Sequence, residues 1–347
     1  MQEKFYIGTY THHTSKGVYE LTLDTTKKEM TNVELAGEAG NPTYVALSDA
    51  GKLYAVDKDQ EQGKGGVRFF DVTEGSKPFA PVQTLVDQDT NPAYVAVDEA
   101  RQLLYTANYH TAEVSAYSIH KDGTVELADR VTHSGQVGPK EEQADGPHPH
   151  FSNLTPDNRL VVCDLGLDKV FVYDVSAQGK LAKVSEITLG PGFGPRHIVF
   201  TSKGDTAYLV GELSSKVAVL KYDQNKGSFE LGQVISTIPA DWTAHNGSAA
   251  IRLSADDKFL YVSNRGNNSL AVFEAKSADK LELVQRISTE GDFPRDFNFS
   301  ADQSLVVCLN QNTNNASLYE RDGKTGKLTL VQKDFEVPEG VCVLPEN

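Results

Sequence analysis

The stretch Asn41-Pro42-Thr43-Tyr44-Val45-Ala46-Leu47, Ser48-Asp49-Ala50-Gly51-Lys52, Leu53-Tyr54-Ala55-Val56 reads as an apolar strand, a polar turn and a second apolar strand. The same pattern returns six more times. Asn91-Pro92-Ala93-Tyr94 opens the second copy, Pro149-His150-Phe151 the third and Pro195-Arg196-His197 the fourth. Ser248-Ala249-Ala250, Pro294-Arg295-Asp296 and Pro338-Glu339-Gly340 open the last three. Positions 42, 92, 149, 195, 248, 294 and 338 lie 44 to 57 residues apart, enough for four short strands and too regular for chance. Third strands follow, such as Val170-Phe171-Val172-Tyr173, and weaker outer ones, such as Leu181-Ala182-Lys183-Val184. No helix-period segment and no linker is visible, so residues 1–347 read as a single all-β domain.

The two ends complete each other. Pro338 to Leu344 is a first strand with nothing after it, and Phe5 to Thr9 is a second strand with nothing before it. Pairing them closes a ring and leaves no open sheet edge. The expectation is a seven-bladed β-propeller of four-stranded blades, with one blade built from both termini.

Composition narrows the function. Lys and Arg number 33 against 48 Asp and Glu, a net charge of −15, which argues against nucleic-acid or anionic-membrane partners. No apolar run approaches the ~18 residues of a membrane helix. The start, Met1-Gln2-Glu3-Lys4-Phe5, shows no signal-peptide pattern, and Cys163, Cys308 and Cys342 sit in apolar runs. Reduced thiols and a cytoplasmic location are the expectation.

Aligning the copies shows where chemistry collects. The residue after the proline position is Thr43, Ala93, His150, Arg196, Ala249, Arg295 and Glu339. Three of these seven are His or Arg at the mouth of an innermost strand, where symmetry turns them toward one axis. A second ring follows the second strands: Tyr10, Lys58, Tyr109, Glu212, Arg265 and Gln311, beside Asp57, Asn108, Asp164, Asn264 and Asn310. His148 and His150 form an i, i+2 pair, but no further His or Cys group of ligand spacing supports a metal site. His197 follows Arg196, so strand alternation predicts that it faces away and packs. Gly190-Pro191-Gly192-Phe193-Gly194 opens a strand and not a helix, which excludes a phosphate loop, and Gly-x-Ser-x-Gly is missing.

Tyr6-Ile7-Gly8-Thr9-Tyr10-Thr11, Gly194-Pro195-Arg196-His197, Glu212-Leu213-Ser214-Ser215, Asn264-Arg265-Gly266 and Pro294-Arg295-Asp296 together resemble the seven-bladed propeller lactonases. That family includes 6-phosphogluconolactonases and 3-carboxy-cis,cis-muconate lactonising enzymes, and the resemblance covers essentially the whole chain. It implies a catalytic His, Glu and two Arg, which fall on His150, Glu212, Arg196 and Arg265. Arg295, Asn264, Tyr109, Gln311 and His148 are the expected substrate contacts. The implied activity is hydrolysis of a small anionic sugar lactone, without metal or cofactor, by a monomer or weak homo-oligomer. A muconate cycloisomerase and a non-catalytic binding propeller are the alternatives, since fold alone does not choose among them.

Overall fold

Each blade owes its strand order to a graded burial pattern. Second strands such as Leu103–Asn108, Thr206–Gly211 and Leu305–Asn310 are buried along their whole length. A sheet packed on both faces by neighbouring blades buries both side-chain rows, so these strands are continuous apolar runs and not alternating ones. The outermost strands, such as Leu181–Thr188, alternate between exposed and half-buried positions. The computed structural model describes residues 1–73 and 75–346.

Seven four-stranded antiparallel sheets result; six run in sequence order from the inner strand outward, and the seventh takes its inner strand from the C-terminal end and the other three from the N-terminal end. We number the blades 1 to 7 by their innermost strands: Val45–Leu47, Tyr94–Asp98, Pro149–Leu154, Pro195–Phe200, Gly247–Leu253, Pro294–Phe299 and Gly340–Pro345. Innermost strands of successive blades touch around the full circle, blade 7 meeting blade 1. The core is therefore not central. It is divided among the seams between blades, as where Phe5, Ile7 and Leu23 of blade 7 pack on Leu305, Val307 and Leu309 of blade 6. One short 3-10 turn, Glu141–Gln143, is the only helical element among the described residues.

The turns between first and second strands repeat a side-chain device. Thr155 donates to Asp157 at 2.7 Å, Ser254 to Asp256 at 2.7 Å and Ser300 to Asp302 at 2.8 Å. The next residue in each turn, Asn158, Asp257 or Gln303, takes a left-handed φ between 58° and 63°. Short polar side chains that hold the turn and tolerate positive φ explain the polar punctuation of every repeat.

Blade 7 closes as expected: Gly340–Pro345 is its inner strand and pairs with Gln2–Thr9, Ile7 opposite Val343 and Phe5 opposite Pro345. Glu339 does not join the channel ring predicted for it. Its carboxylate turns outward and accepts the backbone N–H groups of His12, His13, Thr14 and Ser15 at 3.0 to 3.1 Å. The channel position in this blade is Val341, because the register shift falls two residues later than the proline alignment implies. Burial would raise the Glu339 carboxyl, but the four backbone donors outweigh it and hold the group below its ordinary value. Replacing Glu339 with Gln is expected to cost about 2 kcal/mol at neutral pH. Because the folded-state value is depressed, that contribution is complete above the ordinary glutamate range and shrinks as pH falls through the folded value. Denaturant titrations at pH 7 and roughly pH 3 measure it. An equal difference at both pH values counts against this assignment.

Candidate active site

Five of the innermost strands carry an extra residue; in blade 5 Ala249 and Ala250 stand opposite Ser263 alone, and in the other four a single residue is skipped. In blade 3, Pro149 pairs with Asp164 and Phe151 with Cys163, leaving His150 without a partner. Blade 4 skips Arg196 in the same way, blade 6 skips Arg295 and blade 7 skips Val341. A bulge breaks the alternation of a strand and re-aims the unpaired side chain. Here the aim is inward, and all four residues line one small void in the channel.

The bulge also corrects the reading of His197. Its ring does not face away from Arg196: Arg196 Nη1 lies 3.4 Å from His197 Nε2, and the His197 and His150 ring centroids are 5.3 Å apart. The packing role stands as well, since His197 meets Tyr44 and Tyr94 edge-on. No single-strand periodicity reveals this placement, because the bulge is a property of the pair of strands.

Above the void opens a cavity of about 380 Å³. His150, Arg295, Glu212, Arg265 and Tyr109 line it, and Arg196 bounds the void directly below. Five of the six residues predicted to form the second ring are in its wall: Tyr10, Lys58, Tyr109, Glu212 and Arg265. Thr43 and Ala93 of the first ring line it too, while His12, His110 and Asn91 join from loops that alignment of the copies does not single out. His245 lines an adjoining chamber that shares Glu212 and Arg265 with the first.

Three predicted contacts take other places. Asn264 is fully buried, and its amide is held by Ser248, Ser269 and the Thr237 carbonyl. It precedes Arg265 on a strand, so the two side chains leave on opposite faces. His148 has both ring nitrogens engaged, Nδ1 with the Tyr109 carbonyl at 2.6 Å and Nε2 with Asp145 at 2.8 Å. Its ring stacks on Tyr109 with centroids 4.1 Å apart. His148 therefore positions Tyr109, and the chelate with His150 loses one of its two ligands. Gln311 lies outside the lining of the cavity, with its Oε1 buried and unbonded.

One carboxylate organises the rest. Glu212 Oε1 lies 2.7 Å from Arg265 Nη2, and Oε2 lies 2.9 Å from Arg196 Nε. The second contact is an ion pair without a directed hydrogen bond, for both of its atoms lack a bonding partner of good geometry. Arg196 also donates to the Ala249 carbonyl at 2.9 Å, and Arg265 to the Gly247 carbonyl at 3.1 Å. Arg265 lies over the Phe293 ring, 5.1 Å from its centroid.

These charges set the protonation states. Burial would raise the Glu212 carboxyl, but Arg265 and then Arg196 reverse that and hold it well below the usual carboxylate range. Burial, then the neighbouring Arg265, pushes the Arg196 guanidinium down to about 9, which leaves it cationic at neutral pH. Burial and then Arg196 push His150 well below the ordinary imidazole value, so its ring is neutral. The His150 Nδ1 has no hydrogen-bond partner. The site thus combines a neutral imidazole, a fixed anion and three guanidinium groups.

Residues 4–345 match the family model described as "Lactonase, 7-bladed beta-propeller". The chain belongs to the seven-bladed β-propeller lactonases. It is 39% identical over 342 residues to the 6-phosphogluconolactonase of Bacillus subtilis, covering 97% of each chain. A solved structure of a Lactobacillus plantarum protein superposes with a TM-score of 0.96 at 53% identity, covering 100% of both chains. The periplasmic gluconolactonase of Pseudomonas aeruginosa superposes at 0.90 with 27% identity, covering 99% of both.

Glu212 separates two buried arginines that would otherwise repel. Replacing it with Gln keeps the shape and removes the charge. A broken buried pair leaves uncompensated charge, and the expected loss is about 3 kcal/mol in urea unfolding. An unchanged unfolding midpoint counts against the bridging role.

Proposed function

We propose that the protein hydrolyses a sugar lactone, with 6-phosphogluconolactone as the leading candidate. The observation that carries this reading is the neutral His150 at the floor of a cationic cavity, beside arginines already fixed by Glu212. Ester hydrolysis needs a base for water and donors for the oxyanion, and this arrangement supplies both. His150 takes a proton from a water molecule as that water's oxygen bonds to the lactone carbonyl carbon. Guanidinium N–H groups of Arg196 and Arg265 stabilise the negative oxygen that forms. The ring C–O bond then breaks, and protonated His150 returns its proton to the departing alkoxide. The product is the open hydroxy acid.

Glu212 acts as a positioning residue in this scheme. A carboxylate held far below its ordinary pKa by two arginines is a poor base, so the proton transfer falls to His150. The likeness to a 6-phosphogluconolactonase and to a gluconolactonase supports a lactone over a muconate. A partner-binding face is disfavoured by the surface: the exposed large apolar side chains, such as Val82, Leu127, Val184 and Leu283, sit on outermost strands and include no aromatic residue. Among the described residues no helix is long and apolar enough to cross a membrane.

The test is hydrolysis of freshly prepared 6-phosphogluconolactone and glucono-lactone, corrected for spontaneous opening, with a muconate in parallel. Replacing His150 with Ala is expected to lower kcat about 10²- to 10⁴-fold. Because the imidazole pKa is depressed, kcat/KM stays level on the acid side of neutrality and falls only below the ordinary imidazole range. An acid limb centred at an unshifted imidazole value counts against His150 as the base. Turnover of the muconate alone would overturn the lactonase reading.

A further inference from the structure

The arginines of this chain are almost all committed. Arg68 is paired with Asp57, Arg101 with Asp98, Arg130 with Asp87 and Arg252 with Asp296. Arg196 and Arg265 share Glu212. Arg295 alone, among the described arginines, makes no hydrogen bond and no ion pair; its guanidinium lies over the Tyr10 ring, 5.4 Å from the centroid. The chain carries a net charge of −15, so carboxylates are abundant, yet none lies within ion-pair distance of this group. An unpaired guanidinium in a half-buried cleft forgoes solvation without gaining a partner.

Lys58 faces the same cavity from blade 1, at the end of the strand Lys52–Lys58. Its backbone N–H is tied to the Gly40 carbonyl at 2.7 Å, while its ammonium enters no ion pair among the described residues. Thus the cavity holds two kinds of cation. One kind, Arg196 and Arg265, shares the single carboxylate of Glu212, next to His150. The other, Arg295 and Lys58, is left for something that enters.

We propose that Arg295 and Lys58 form a subsite for a phosphate monoester carried by the substrate at a distance from its lactone carbonyl. This rests on the lactonase reading above and refines it. A dianion with three acceptor oxygens suits two cations mounted on separate blades, one a planar fork and one a point charge. The Thr43 hydroxyl, the Asn91 amide and the Tyr10 phenol line the same cavity and add polar partners. The division of labour follows from charge: half the charge of the Arg196 and Arg265 pair is compensated by Glu212, whereas Arg295 and Lys58 retain theirs in full.

The experiment uses calorimetry with two stable ring-opened acids, 6-phosphogluconate and gluconate, so that binding is read without turnover. The native protein is expected to bind the phosphorylated acid at least about 10-fold more tightly. Replacing Arg295 with Gln, or Lys58 with Gln, is expected to weaken the phosphorylated acid by about 10- to 150-fold and to leave gluconate unchanged. Neither side chain bonds within the fold, so unfolding midpoints should hold and folding failure does not confuse the result. Equal affinity of the native protein for the two acids, or no binding of either, overturns the subsite. So does a loss in the variants that is equal for both acids. The companion lactone assay separates the two claims. Hydrolysis without phosphate preference sinks the subsite and spares the lactonase reading. Phosphate-selective binding without hydrolysis of either lactone does the reverse.

Discussion

An extra residue at the mouth of an innermost strand has only one direction open to it. The sheet faces are filled by neighbouring blades and the strand edges are hydrogen-bonded, so a bulged side chain turns toward the axis. His150, Arg196 and Arg295 reach the channel by this route, and each would face a seam if its strand ran in unbroken register. His150 and two of the three guanidinium groups depend on it. The bulge costs one ladder position per blade, and the ring tolerates that loss because each sheet is clamped on both sides by apolar seams.

Electrostatics then decides what the converging groups become. Three guanidinium groups gathered in one half-buried pocket would repel each other, and burial would penalise each charge. Glu212 resolves this by binding two of them, and it also fixes their orientation before any substrate arrives. Pre-oriented donors need no reorganisation when an oxyanion forms, which is where such sites gain most over water. The same field keeps His150 neutral, so an imidazole among cations remains a proton acceptor at neutral pH.

The fold was legible because its signal is redundant. Seven copies of strand, polar turn and strand state one architecture seven times, and the turn device of Thr155 with Asp157 recurs as Ser254 with Asp256 and Ser300 with Asp302. The candidate site was legible to the extent that equivalent positions share a fate. His150, Arg196, Arg295, Glu212 and Arg265 were found by aligning copies, and they converge. The misplacements mark where equivalence fails. Glu339 and Val341 differ because the bulge in blade 7 sits at a different offset from its proline. Asn264 belongs to a position that ties loops together, as Asn108 does through Gln88 and the Thr90 carbonyl, while the residue beside it faces the cavity. His148 is expected at the substrate through the resemblance, but its place beside His150 in sequence carries no information about the Tyr109 carbonyl that occupies its ring.

The closure of the ring and the composition of the site are linked through one residue. Asp296 follows the bulged Arg295, and its carboxylate accepts from Arg252 of blade 5 at 3.0 Å and from the Val343 backbone of blade 7 at 2.9 Å. Three blades therefore meet on one buried carboxylate directly beneath the cavity, and one of them is the blade built from both termini. A seam that opened there would release Asp296, and with it the strand that presents Arg295 to the channel. Seen this way, the pairing of the first and last strands does more than protect a sheet edge. It holds the register in which a cation with no partner of its own is offered to the cavity.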